Sequence, residues 1–229
     1  METDITMKKF GFYISLSLAI LTIFTFTIAI LTPPLSGPFC QGNCYAYPFH
    51  NIADRYPRDY YWMFPAMILS LVYVIFTISI HTASPGDRKI YGRIAVAIAI
   101  MAASTLLTCY FVQVTVIQPS LLNGETEGIA LWSQYNPHGL FIALEELGYI
   151  MMVISFPFLA FTYIPANKTE KMLKWTFLAG FAVAVITFLM ILFKFGINRE
   201  YRYEVAIICI DWLILILAGI FQSIAFKRP

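Results

Sequence analysis

Six apolar runs, each long enough to cross a bilayer as a helix, leave this chain few folds to adopt. A hydrocarbon core about 30 Å thick is crossed by about 20 helical residues. Phe10–Thr32, Tyr60–Thr82, Ile94–Ile117, Gly139–Ile164, Trp175–Gly196 and Val205–Phe226 all reach that length. The first, second and third contain no Asp, Glu, Lys or Arg; the fourth and sixth carry acids and the fifth a lysine. Backbone amides inside lipid have no water to bond to, so such runs satisfy their hydrogen bonds internally as helices. The predicted architecture is an all-α membrane protein: one six-helix transmembrane domain over residues 1–229, because the connecting segments are too short for a core of their own.

Composition agrees. Of 229 residues, 59% are apolar and 12% charged, against about a quarter charged in ordinary soluble domains. That excludes a disordered chain and a secreted disulfide scaffold, and a net charge of +2 offers no basic field for nucleic acid. Lys8, Lys9, Arg88, Lys89, Arg93, Lys168, Lys171, Lys174, Lys227 and Arg228 flank one side of the predicted spans, whereas Arg55, Arg58, Lys194, Arg199 and Arg202 flank the other. Cytoplasmic flanks retain Lys and Arg, so both termini are expected inside, in a multi-pass plasma-membrane topology. The first run is too long for a signal-peptide h-region and lacks a small-x-small cleavage pattern after it, which predicts an uncleaved helix. The outer loop over residues 33–58, rich in Pro, Gly and Tyr, is expected to form an ordered cap.

Small residues recur at Ala95, Ala99 and Ala103 and at Gly180 and Ala184, a spacing that suits close helix contacts. Pro65 and Pro157 fall inside spans and are expected to bend them.

Charges at membrane depth are costly and normally face a bundle interior or water, with partners. Glu145, Glu146 and Asp211 each lie about six or seven residues inside their predicted spans, roughly 10 Å below the outer boundary at about 1.5 Å per residue. Lys194 and Gln113 lie near the outer ends of theirs. Glu145 and Glu146 are adjacent and differ by about 100° around the helix, so only one is expected to join an interior site. Tyr149, four residues after Glu145, is placed to hydrogen-bond it. One reading is an ion pair of Lys194 with an acid that merely fixes helix register. The other is an acidic pocket in the outer half, with the surplus charge relieved by a proton, by Arg199 or Arg202, or by a bound cation.

Cys40 and Cys44 in the first outer loop are read as a disulfide, with a metal site using His50 as the rival. Cys109 and Cys209 are read as small core residues. His138, Glu145 and Asp211 could form a metal site, against a plain cap role for His138. No nucleophile elbow, phosphate loop, zinc box or haem motif is present, and no cofactor is expected. Asn167-Lys-Thr matches a glycosylation acceptor, silent on the predicted inner side.

The segments Ile117–Gly124, Leu144–Met152 and Ala225–Arg228 resemble small, uncharacterised six-helix membrane proteins of bacteria and archaea. The resemblance implies six helices and carries no activity. The expected function is binding or transport of a small cationic or polar ligand, or of protons, at the pocket of Glu145, Glu146, Asp211, Lys194, Gln113 and Tyr149. A structural or accessory subunit, contacting lipid and a partner subunit or a second copy, is the alternative from another class. A membrane-embedded metal-dependent hydrolase is the third.

Overall fold

The computed structural model describes residues 2–227, which are all-helical with no strand among them. Six helices are long and apolar enough to cross a membrane: α1 (Glu2–Leu31), α2 (Met63–Ala83), α3 (Lys89–Val112), α4 (Leu140–Thr162), α5 (Lys168–Phe195) and α6 (Tyr201–Lys227). Arg228, one of the basic residues used above, lies outside the described residues.

Local chemistry moves several boundaries from their predicted places. α5 starts seven residues early because Asn167 caps it: its side chain accepts the Glu170 N–H at 3.1 Å, and the Glu170 carboxylate accepts the Ala166 N–H at 2.9 Å. That reciprocal arrangement satisfies amides a helix start leaves open, and the lysines of the first turns then ride on the helix. α2 begins at Met63, so Pro65 sits in its first turn, where an N–H would have no partner, and the bend expected there is not required. α3 runs on through a π-turn at Gln113–Ile117 into a helical turn, Gln118–Leu122. The wide turn ends two residues before Pro119, whose missing N–H would break a regular α ladder. α6 starts at Tyr201, four residues before the apolar run, and brings Glu204 into the helix.

Each helix packs on its neighbours in the chain, and α1 closes against α6, making a ring in which α4 also reaches across to α6. α4 is the most enclosed span and α5 the least. Small residues set the close seams. A Cβ on Gly219 would lie 2.7 Å from the Ser15 carbonyl oxygen, and one on Gly180 would lie 2.7 Å from the Ile214 side chain. Ala95, Ala99 and Ala103 are buried, as are Gly180 and Ala184. Hydroxyls within α1 bond their own helix, Thr22 donating to the Leu18 carbonyl at 2.6 Å and Ser15 to that of Gly11 at 2.7 Å, so they need no partner in the core.

The two ends of the bundle differ. One, the terminal end, holds the start of α1, the end of α6 and the short basic α2–α3 and α4–α5 connections. The other, the loop end, carries the segment between α1 and α2, with a Cys40–Cys44 disulfide and several 3₁₀ turns, and the α3–α4 connection. These loops share a small core of Phe49, Ile52, Ile117, Leu121, Ile129 and Tyr135.

Candidate functional site

At the loop end, the predicted site residues separate into three groups. Gln113 is a loop anchor: its side-chain amide donates to the Trp132 carbonyl, and its Oε1 accepts the Gln134 N–H at 3.2 Å. Lys194 faces outward from α5, exposed, with its ammonium 5.3 Å from the Phe195 ring; no acid pairs with it among the described residues. His138 is exposed, and no three His, Cys, Asp or Glu side chains among the described residues gather closely enough to hold a metal ion.

Adjacent on α4, Glu145 and Glu146 point different ways. Glu146 accepts both Nε (3.2 Å) and a terminal nitrogen of Arg199, from the α5–α6 connection. Burial opposes the charge on Arg199, but its hydrogen bond to Glu146 outweighs that and raises its pKa. Such a two-point contact fixes orientation as well as charge. Glu145 points into the bundle and is fully buried. Its Oε1 accepts the Tyr110 hydroxyl at 2.7 Å, and that hydroxyl lies 3.1 Å from the Tyr149 hydroxyl. Tyr149 therefore connects to Glu145 through Tyr110.

From α6, the carboxyl group of Glu204 faces that of Glu145. Glu145 Oε2 and Glu204 Oε2 have no partner beyond this facing pair of carboxyl groups, and both oxygens of Asp211 have no hydrogen-bond partner. Asp211 is wholly buried and lies deeper, near the Tyr73 and Tyr149 hydroxyls without bonding either. Trp212 packs edge-on to Tyr149, and its Nε1 is also unpartnered. Three interior acids thus have no basic side chain paired with them among the described residues. The guanidinium groups at this end are committed elsewhere or exposed: Arg199 to Glu146, Arg202 to Glu200, Arg55 to Asp59, with Arg58 exposed. An isolated buried carboxylate is costly, and a proton or a cation removes that cost.

Beside this cluster, between the loop-end halves of α1 and α6, lies a cavity of about 330 Å³. Phe26, Ile30, Pro34 and Ile208 give it apolar walls, while Glu204, Trp212, Tyr201, Ser36 and Asp59 supply polar atoms. Asp59 is held by Arg55 at 2.8 Å and by the Tyr135 hydroxyl at 2.7 Å. Tyr201 donates to the Gln134 carbonyl at 3.0 Å and meets Ser36 Oγ at 2.8 Å, tying both loops to the head of α6.

Sequence reasoning missed Glu204, Tyr110, Trp212 and Asp59. Glu204 sits one residue outside the apolar run, yet seven residues before Asp211, two turns along the same face. That spacing was the available signal.

No family model matches this chain, and neither a curated protein nor a solved structure is detectably similar to it.

Proposed function

We propose that this is a multi-pass protein of the plasma membrane, with both termini cytoplasmic, that binds a small cationic or polar ligand at an acidic pocket in its outer half and serves its recognition or transport. The basic residues flanking the spans at the terminal end support the orientation. The observation that carries the functional reading is a cluster of three buried acids, Glu145, Glu204 and Asp211, with no basic side chain paired to any of them among the described residues, enclosed by tyrosines beside a cavity. A purely structural role calls for satisfied pairs, because an acid left buried and unpaired lowers stability. Glu146 with Arg199 has that structural character; Glu145, Glu204 and Asp211 do not. In this role the tyrosine hydroxyls orient the carboxyl groups, and incoming positive charge replaces the protons that otherwise neutralise them.

The test is thermal unfolding of purified protein in detergent at pH 7, screened against sodium, potassium, methylammonium and guanidinium. At least one cation is expected to raise the midpoint of the wild type and to lose that effect in Glu145→Gln and Glu204→Gln. A wild type indifferent to every cation, or Gln variants that respond as it does, would overturn the reading.

A further inference from the structure

The cavity specifies more than charge. Its walls are apolar, and its rim carries Ile30 at 69% exposure and Val205 at 40%, side chains that face the surroundings of the bundle rather than its core. At the terminal end, α1 and α6 are closely packed, Gly11 against Phe226 and Gly219 against Ser15. The cavity lies at the loop end of the same two helices, along a flank that would adjoin lipid. Its inner wall includes two nearly buried polar residues, Glu204 at 7% and Trp212 at 1% exposure, and the Glu204 carboxyl has no basic side chain paired with it among the described residues. Behind Glu204 is Glu145, a second buried acid whose carboxyl group faces it.

We propose that the α1–α6 cavity binds a single-chain amphiphile whose head is an ammonium group, admitted sideways from the membrane, with the ammonium at Glu204 and the chain along Phe26, Ile30 and Ile208. This rests on the acidic-pocket reading and names its ligand class. An ammonium brings the positive charge that the Glu204–Glu145 pair lacks, and its N–H groups suit carboxylate acceptors. An apolar chain suits the walls, where burial of hydrocarbon is favourable at about 25 cal/mol per Å². A phosphate-bearing headgroup does not suit the site, because Arg55, whose partner Asp59 lines the cavity, is already committed to that acid.

Octylamine is the probe, charged at pH 7 like a lysine side chain, with octanol as its neutral counterpart and lysophosphatidylethanolamine as its phosphate-bearing one. Titration calorimetry on protein in lipid nanodiscs, blanked against empty nanodiscs, is expected to show saturable octylamine binding at one per chain. Glu204→Gln should weaken it by at least about tenfold and leave octanol unchanged. Ala29→Phe, which fills the cavity, should abolish both. Lysophosphatidylethanolamine should bind the wild type no better than Glu204→Gln. Octylamine should also slow alkylation of Cys209, a free thiol lining the cavity. The proposal is overturned if octylamine gives only the heat of the blank, if Glu204→Gln weakens octylamine and octanol alike, or if Cys209 is modified at the same rate throughout. Should methylammonium still stabilise the wild type while octylamine fails, the amphiphile proposal alone falls; should no cation act in either assay, the acidic pocket falls with it.

Discussion

Replacing Arg199 with Gln tests how the bundle handles charge at its loop end. The guanidinium contacts both oxygens of Glu146, whose side chain is 7% exposed against 29% for Arg199. Removing the cation strands a nearly buried carboxylate, and stranding a fully buried one costs about 3–5 kcal/mol. The partial exposure of Arg199 means that water already reaches the site and will solvate part of the orphaned charge. The expected loss is therefore about 2–3 kcal/mol. Glu146→Gln should cost less, about 1 kcal/mol, because the freed guanidinium can turn toward water while Gln keeps one acceptor. The double variant should be nearly as stable as Glu146→Gln alone, giving a coupling energy of about 2–3 kcal/mol, within the range for contacting residues. Reversible unfolding in mixed micelles measures all four corners of this cycle. Strictly additive losses, or an Arg199→Gln variant as stable as the wild type, would refute the view that this pair holds the α5–α6 connection against α4.

Other expectations concern separate parts of the molecule. Asp211→Asn should change stability by less than about 1 kcal/mol or increase it, since neither oxygen has a partner to lose; a loss above about 2 kcal/mol in the same micelle assay would contradict that. Gly219→Ala should cost about 1–3 kcal/mol through its clash with the Ser15 carbonyl, read as a lower unfolding midpoint, and an unchanged midpoint would mean the α1–α6 seam is looser than described. Burial pushes the Tyr135 hydroxyl up, and its bond to Asp59 adds to the shift. The folded state thus holds that proton more tightly than the unfolded chain does. Its contribution is complete below the unfolded tyrosine value, near pH 10, and is lost as pH rises through the folded one. Tyr135→Phe should therefore lose less stability than the wild type between about pH 10 and 11.5, and parallel alkaline curves would exclude this.

Hydropathy located the helices well because one solvent dominates that decision, but it placed their ends by apolarity alone. It could not see the Asn167–Glu170 cap, and it cut α6 at Val205 because Glu204 is charged, discarding a residue of the acidic cluster. Lys194 shows a different limit. Its place near the outer end of its span put it in the same half of the bundle as the acids, but position along the helix says nothing of direction around it. The buried stripe of α5 runs through Leu173, Phe177, Gly180 and Ala184 and extrapolates to Phe188, Ile191 and Phe195, leaving Lys194 about 100° away from its neighbour Phe195. That pattern was present in the sequence. Which acid Arg199 would choose was not, since it depends on how the α5–α6 connection folds back over α4.

The ring of helices has no seam peculiar to the position of its first and last members, because α1 and α6 lie against each other as the other neighbours do. A permuted chain, with the tail of α6 linked to the head of α1 and new ends opened at Tyr163–Asn167, would retain each helix between the same two companions. Both new ends would emerge on the face that carries the old ones, so the order of synthesis would change while the sidedness of every crossing stayed the same.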